Sequence, residues 1–288
     1  MDRTSQALET GAAKTERATI LHPTDFTGGG ELAFTHALRI ALRAKLALTL
    51  LRVKSETDVS PHVSGLRPVV DVLVRWNMLS ANARESSLES ELDLRVSSVC
   101  FPAVNVRTGI LDFLEAHPFE LAVIATRRQK GLAHWLDASV EHKALRMANG
   151  MILFLRDGER GFVDRKRGDI KLLRVLVPID DNIDFSPSIY RLDGLIKTLS
   201  AAAELHFLHV GAHAPNIVDK SGQFRRAPIQ LRQGPVVDTI LEVAQRLRVD
   251  LIAMPTGGRH GLLGALRGSV TARILGNGHW PLLTTPLS

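Results

Sequence analysis

Short apolar runs alternate with segments of helical periodicity from residue 18 onward. The runs ATILHP (18–23) and LALTLLRV (46–53) flank ELAFTHALRIALRAK, in which apolar residues recur at helical spacing. Uninterrupted apolar runs of this length are typical of strands buried on both faces of a parallel sheet. The pattern therefore predicts a strand, a helix and a second parallel strand, joined by a right-handed crossover.

The same alternation continues to residue 156. It predicts a loop over 54–67 and a long helix over about 68–92 that places Trp76 in the core. After these come a strand at LRVSSVCF, a helix with Thr108 near its start, a strand at ELAVIAT, then a helix and a last strand, GMILFLR. Strands and helices thus alternate throughout, as they do in α/β folds.

A charged segment with several glycines, DGERGFVDRKRGDIK (157–171), interrupts this order and is predicted to be a linker. The order then repeats. LLRVLVPID matches ATILHPTD, so Asp180 takes the place that Asp25 has in the first half. A repeat of this kind predicts two copies of one fold.

We therefore expect an α/β chain of two tandem doubly wound, Rossmann-like domains, each with about five parallel strands and helices on both faces. The predicted domains cover 18–156 and 172–288, after a disordered lead-in over 1–17. The lead-in has no apolar core segment, so it is not a secretory signal.

Composition narrows the function classes. Hydrophobic residues make up 45% of the chain, and no apolar run approaches the ~20 residues that span a bilayer, so no membrane partner is expected. The net charge of +6 comes mostly from scattered residues and aromatics are only 5%, so nucleic acid is not expected either. The single cysteine, Cys100, fits a reducing cytoplasm and is predicted to be a small buried hydrophobe.

The segment Met254–Leu275 carries the strongest chemical signal. An apolar strand ends in a loop with Gly257, Gly258, Gly261 and Gly264, and the loop closes on Gly268 and Ser269 at an apparent helix start. Backbone N–H groups at a helix start form an anion site, and glycines let a phosphate approach closely. The loop has neither a Walker nor a GxGxxG spacing, and the competing interpretation is that its glycines serve tight turns alone.

Polar residues also follow the other strands of the second half. Asp180 follows the first of them and could accept a hydrogen bond from an adenine amino group or a ribose hydroxyl, or it could cap a helix. His206, His209 and His213 fall on a predicted strand and the loop after it, where convergence on a metal is disfavoured. For His209 a ligand contact competes with a structural role.

These residues carry a resemblance to the universal stress protein family. That family has a G-2x-G-9x-G-[S/T] pattern for ATP and an aspartate after its first strand. Here nine residues separate Gly258 from Gly268, and Ser269 follows, while Pro255 stands in place of the first glycine. The chain resembles a tandem, two-domain member from residue 18 to its end, with the adenine nucleotide alpha hydrolase-like version of the fold.

The resemblance implies a cytoplasmic stress-response protein that binds ATP, or AMP or ADP, in its C-terminal domain, with Mg²⁺ or Mn²⁺ as a companion. It also implies an intramolecular pseudo-dimer of the two domains, joined through their last strands, and association of two chains. The implied site covers the adenine and ribose side, the base pocket, the strand end and the phosphates, in that order: Pro178, Ile179 and Asp180; Val210; Met254; Gly258, Gly268, Ser269, Val270 and Thr271.

The first half departs from the same pattern. Ala125, Arg128, Ala138 and Ser139 stand where the pattern has its glycines and serine, so side chains would occupy the phosphate space. We expect a degenerate, mainly structural domain there. Two alternatives remain for the whole chain: a nucleotide-free scaffold for a protein partner, favoured by Pro255, and a slow ATPase. The sequence shows no hydrolytic motif, so a binding protein ranks above an enzyme.

Overall fold

The computed structural model describes residues 18–24, 26, 30–54, 65–126, 150–181, 184–216, 228–256 and 270–286. The first half contributes these elements: β1 (Thr19–Pro23), α1 (Glu31–Ala44), β2 (Ala47–Lys54), α2 (Arg67–Arg75), α3 (Ser87–Leu92), β3 (Val96–Pro102), α4 (Val106–Ala116), β4 (Leu121–Thr126) and β5 (Met151–Arg156).

The second half repeats the order in fewer residues. Its elements are β6 (Arg174–Pro178), α5 (Ser186–Leu199), β7 (Glu204–Val210), β8 (Ile229–Arg232), α6 (Val236–Leu247), β9 (Leu251–Thr256), α7 (Val270–Asn277) and β10 (Leu282–Pro286).

All ten described strands form one sheet in the order β3-β2-β1-β4-β5-β10-β9-β6-β7-β8. Each half supplies five parallel strands, and the second half mirrors the strand order of the first. The predicted α/β class and its two doubly wound units are therefore confirmed. In both halves the chain reverses direction along the sheet beside its first strand, which is the switch point where ligands of such sheets bind.

The two half-sheets meet at their last strands. β10 pairs antiparallel with β5, with Leu282 opposite Phe154 and Thr284 opposite Ile152. The Thr284 hydroxyl donates to the Ile152 carbonyl at 3.3 Å, which adds a side-chain bond to the ladder. Because the join is antiparallel, the carboxyl ends of the first-half strands lie at one edge of the sheet and those of the second-half strands at the opposite edge.

A hydrophobic layer covers each face of the sheet. One layer packs α1 and α5 against strand residues such as Ile20, Leu48 and Val175, and the other packs α4 and α6 against residues such as Leu21 and Ile252. Each layer contains residues of both halves. Burial on both faces explains why the strands are continuous apolar runs rather than alternating ones.

Two local predictions are wrong. The long helix expected over 68–92 is two short helices, α2 and α3. Asn77 adopts a left-handed conformation with φ of 56°, which asparagine tolerates and which ends the helical path after α2. Cys100, expected to be buried, is exposed, because β3 is an edge strand of the sheet with a neighbour on one side alone.

The segment predicted as a linker folds onto the first half. Val163 and Ile170 form an antiparallel bridge, and Phe162 and Val163 are buried. Gly168 has a φ of 73°, and a Cβ there would meet the Trp76 ring at 2.6 Å, so the segment needs glycine at this position. The Trp76 indole N–H donates to the Arg165 carbonyl at 3.0 Å.

His36 holds this segment against α1. The ring is fully buried, its Nδ1 donates to the Leu32 carbonyl at 2.7 Å, and its Nε2 accepts from the amides of Phe162 and Val163, each at 3.0 Å. Burial lowers the pKa of His36 from 6.5 to about 4, although the hydrogen bond to Leu32 opposes the shift. The neutral ring is therefore required, because a protonated Nε2 cannot accept.

The His36 bonds predict an acid-sensitive contribution to stability. The folded-state pKa is lowered, so the contribution is complete above pH 6.5 and is lost as the pH falls towards 4. Over this window the wild type should lose about 3 kcal/mol of unfolding free energy that a His36→Gln variant does not lose. Urea unfolding at a series of pH values measures it.

The control is His213→Gln, which changes an exposed histidine. It should follow the wild-type pH dependence. A His36→Gln variant that loses the same free energy as the wild type between pH 6.5 and 4 would contradict this role of His36.

Candidate functional site

The switch point of the second half lies between β6 and β9, and sheets of this kind form a ligand-binding crevice there. The β6 and β9 ladder consists of Val175 opposite Leu251 and Leu176 opposite Ile252. β6 continues to Pro178 and β9 to Thr256 beyond the last of these pairs. The ladder therefore ends before the carboxyl ends of the two strands, which is where doubly wound folds bind ligands.

Pro178, Ile179 and Asp180 lie at the end of β6, on one side of this crevice. The Ile179 amide donates to the Leu208 carbonyl at 2.9 Å, which extends the pairing of β6 with β7. Asp180 is half-buried, and its Oδ1 accepts from the amide of Asp181 at 2.9 Å. Asp180 thus lies just after β6, at the carboxyl edge of the sheet.

The capping alternative for Asp180 fails. Helix α5 begins at Ser186, and the residue that serves its start is Asp184, whose Oδ1 accepts from the Ser186 amide at 3.0 Å and from the Ser186 hydroxyl at 2.7 Å. Asp180 lies too far before the helix to cap it. Helix capping therefore does not explain the aspartate at position 180.

Val210 and His209 end β7, the neighbour of β6. Val210 is half-buried and pairs with Arg232 of β8. His209 is 7% exposed, and its Nδ1 donates to the Ile179 carbonyl at 3.1 Å, since a carbonyl can only accept. His209 therefore has the structural role of joining the ends of β6 and β7, and Val210 remains at the edge.

One contact at this edge was not found from the sequence. Asp181 Oδ1 accepts from the Asn216 amide at 2.6 Å, which ties the loop after β7 to the loop after β6. The run of aspartates at 180–181 is the signal that could have indicated it, because aspartate readily accepts from loop amides. Strand β8, which carries Arg232, was also not located from the sequence.

Met254 lies below the rim rather than on it. Its side chain is 2% exposed and its backbone pairs with Thr284 of β10. Pro255 follows inside β9, opposite Thr285. The proline that departs from the family pattern therefore lies in the strand. Its fixed φ suits an extended strand, but it has no N–H to donate to a neighbouring strand.

Val270 and Thr271 begin α7, the helix that follows β9. Val270 is half-buried and Thr271 is 3% exposed, so Thr271 faces the protein interior. Three predicted site residues, Gly258, Gly268 and Ser269, lie outside the described residues. Of the predicted set, the structure brings Ile179, Asp180 and Val210 to one edge and places Pro178 and Met254 in the strands below it.

Neither a metal cluster nor an enclosed catalytic group accompanies this edge in the described part. Among those residues, no group of three His, Cys, Asp or Glu side chains is arranged to hold a metal ion. A separate cavity of about 560 Å³ lies at the amino ends of the first-half strands, against Thr19, Leu21 and Phe113. It is distant in the fold from the edge formed by Asp180 and Val210.

Comparisons with known proteins agree with this architecture. The universal stress protein family model matches residues 16–156 and 216–286. The chain belongs to the universal stress protein family. No curated protein sequence matches the chain significantly.

Solved structures share the fold over almost the whole chain. A universal stress protein from Archaeoglobus fulgidus DSM 4304 is 15% identical, with a TM-score of 0.57, covering 94% of this chain and 98% of its own. A functionally unknown protein from Pseudomonas aeruginosa PAO1 is 18% identical, with a TM-score of 0.59 and coverages of 94% and 92%. A putative universal stress protein from Pseudomonas aeruginosa UCBPP-PA14 is 19% identical, with a TM-score of 0.58 and coverages of 94% and 93%.

The corresponding edge of the first half is built differently. There the ladder between β1 and β4 also consists of two pairs, ending at Leu21 opposite Ala122. His22 follows, fully buried, and its Nδ1 donates to the Val123 carbonyl of β4 at 2.8 Å. The histidine thus bridges the strands at the point where a crevice would open. The repeat places Val177 at this position in the second half, and valine cannot make such a bond.

Aromatic rings fill the space above this bridge. His22 stacks on Phe34 with ring centres 6.0 Å apart, and Phe26 meets the edge of Phe34 at 6.0 Å. Phe26 itself has a φ of 56°, and its amide donates to the Thr24 hydroxyl at 3.0 Å. Aromatic rings therefore pack beside the His22 bridge in the first half.

Gly211, directly after Val210, gives a stability test of the candidate edge. A Cβ at this position would collide with Nε2 of His209, so Gly211→Ala must displace the ring and weaken its bond to Ile179. We expect a loss of about 1–3 kcal/mol in unfolding free energy. Urea unfolding monitored by circular dichroism measures the change.

The matched control is Gly194→Ala, in the middle of α5. A Cβ there meets nothing within 4 Å, so this variant should be neutral or gain about 0.5–1 kcal/mol from helix propensity. Equal stability of the Gly211→Ala and Gly194→Ala variants would show that His209 is not confined as described.

Proposed function

We propose that the C-terminal half binds ATP, or the related nucleotides ADP and AMP, in the crevice between β6 and β9, and that this binding serves a stress response or signalling role. The observation that carries the proposal is the Asp180 carboxylate directly after β6, at the switch point where the β6–β9 ladder ends. A ligand with hydrogen-bond donors, such as a ribose or an adenine amino group, suits that carboxylate.

The loop after β9 supplies the second part of the proposal. It joins Thr256 to Val270, the first residue of α7, and its sequence holds Gly258, Gly268 and Ser269. Amides at the start of a helix that follows a parallel strand attract phosphates. We assign the adenine and ribose to Pro178, Ile179 and Asp180, the base pocket to Val210 and Met254, and the phosphates to the glycine loop with Val270 and Thr271.

A companion Mg²⁺ or Mn²⁺ would be held mainly by the phosphates. Magnesium sites in nucleotide-binding proteins commonly use one or two carboxylates together with substrate phosphates. Asp180 is assigned to the adenine and ribose side, so the phosphates themselves would supply most ligands of such a cation. The ion would neutralise phosphate charge, and Asp180 would orient the bound nucleotide.

Pro255 does not count against this proposal. A proline in the loop itself would remove an amide that could face a phosphate. Here it lies in β9, opposite Thr285, so the missing amide belongs to the strand. The position of Pro255 in β9 therefore supports ranking nucleotide binding ahead of the nucleotide-free scaffold, which stays the alternative.

We also propose that the two halves act as an intramolecular pseudo-dimer. The antiparallel pairing of β5 with β10 supports it, as does an ion pair between Arg191 of α5 and Glu120 of the first half at 3.6 Å. Association of two such chains is a further proposal from the family resemblance. In the part of the chain that the structure describes, no helix has both the length and the apolar composition to cross a bilayer. A cytoplasmic location is proposed from the single cysteine.

Substitution of Asp180 tests the ribose and adenine side. Asp180→Asn removes a charged acceptor, and hydrogen bonds to charged groups are worth about 1.5–3 kcal/mol, so ATP affinity should fall by about tenfold to hundredfold. Titration calorimetry measures the dissociation constant. The matched control is Asp25→Asn at the corresponding position of the first half, which should leave affinity unchanged. Equal losses in the two variants would refute the assignment.

Substitutions at Gly258 and at the matching first-half position, Arg128, test the phosphate side of the proposed site. Gly258→Arg places a side chain in the phosphate space and should reduce ATP binding below detection, because glycine permits the close approach. Arg128→Ala, at the matching position of the first half, should change affinity by less than about twofold. A Gly258→Arg variant that keeps wild-type affinity for ATP would sink the proposed phosphate site.

A further inference from the structure

The folded linker carries a cluster of positive side chains that the proposed nucleotide site does not use. Glu31 of α1 pairs with Arg75 of α2 at 2.8 Å and with Arg165 of the linker at 3.9 Å. α1, α2 and the linker therefore meet at one surface. The basic surface, as we name it, consists of these seven residues: Arg39, Arg43, Arg75, Arg165, Lys166, Arg167 and Lys171.

The carboxylates beside the basic surface are too few to balance its positive charge. Glu31, Asp164 and Asp169 are the acids that pair with or lie beside the basic surface among the described residues. Seven cations against three carboxylates leave an excess of four positive charges, where the whole chain has an excess of +6. These residues thus form a local cluster with an excess of positive charge.

The positive groups are close enough to affect one another. Burial lowers the pKa of Arg39, and the neighbouring Arg43 lowers it further, while Asp169 acts in the opposite direction. Arg167 is 78% exposed and Lys171 is 75% exposed, so these charges remain accessible to a ligand. Like charges held together cost free energy, and an anionic partner would relieve that cost.

The linker turn presents its cations in a fixed arrangement. Asp164 Oδ1 accepts from the amides of Lys166 at 2.9 Å and Arg167 at 3.1 Å, and the Gly168 amide donates to the Asp164 carbonyl at 2.7 Å. The bonds from Trp76 and His36 anchor the same turn to the helices. A pre-ordered turn loses less entropy on binding than a free linker would.

We propose that the basic surface is a docking site for an acidic segment of a partner protein. Five of its seven cations are arginines, whose planar guanidinium groups bind carboxylates in a forked geometry. Arg75, Arg165 and Arg167 already bind carboxylates of this chain at 2.8–3.9 Å. Aspartate and glutamate side chains of a partner would extend the same interaction.

The composition of the surface favours a peptide over other anions. Trp76, the aromatic residue beneath the linker turn, is 5% exposed and hydrogen-bonded to the linker. It therefore offers no ring face for stacking of nucleic-acid bases. The exposed large hydrophobic side chains of the described residues, Val104, Leu173, Tyr190 and Leu231, are not members of the surface. Insertion into a lipid layer would need such side chains there.

The test is binding of a fluorescein-labelled decaglutamate peptide to the full chain, measured by fluorescence anisotropy at low and at moderate salt. The test variant is Arg165→Gln, Lys166→Gln and Arg167→Gln together, which keeps the backbone bonds of the turn. The matched control removes three exposed cations elsewhere: Lys54→Gln, Arg84→Gln and Arg246→Gln. Melting temperatures verify that both variants fold.

We expect the test variant to bind the peptide at least about tenfold more weakly than the wild type, with a smaller dependence on salt. The control variant should bind within about twofold of the wild type. Equal losses in both variants, or no binding by the wild type, would overturn the proposal. Tighter binding of a single-stranded oligonucleotide or of phosphatidylserine vesicles, lost in the same test variant, would also overturn it in favour of that partner.

Discussion

The antiparallel pairing of β5 with β10 is the interaction on which the architecture depends. Without it each half would leave an unpaired strand edge, and open edges are a hazard for any sheet. The pairing makes one ten-stranded sheet, and both hydrophobic layers run across the join. It also sets the two carboxyl edges on opposite sides, so the halves could diverge in what they bind without interfering with each other's switch point.

The divergence can be described at one position of the repeat. His22 bridges β1 to Val123 of β4, whereas Val177, at the matching position of β6, cannot make such a bond. Phe26 and Phe34 pack beside this bridge in the first half, and Asp180 follows β6 in the second half. The two copies of the fold thus differ in a side chain near the end of their first strands, and we take this difference as support for the proposed unequal division of function.

The sequence predicted the parallel α/β organisation and its repetition because burial on both faces produces uninterrupted apolar runs. It did not predict the break between α2 and α3, which depends on a left-handed Asn77, or β8, a strand of four residues beside a loop. Nor could it show that the linker docks, since the contacts of His36 with Phe162 and Val163 join residues far apart in the chain. At the site, spacing identified Asp180, while the bonds of His209 and Asp181 required coordinates.

The stoichiometry of nucleotide binding tests the central claim most directly. Titration calorimetry of the purified chain, freed of any bound nucleotide, with ATP and Mg²⁺ gives the number of sites per chain. We expect one site, in the second half. Two sites of similar affinity would contradict the proposal that the first half does not bind the nucleotide. No binding at all would contradict the nucleotide assignment itself.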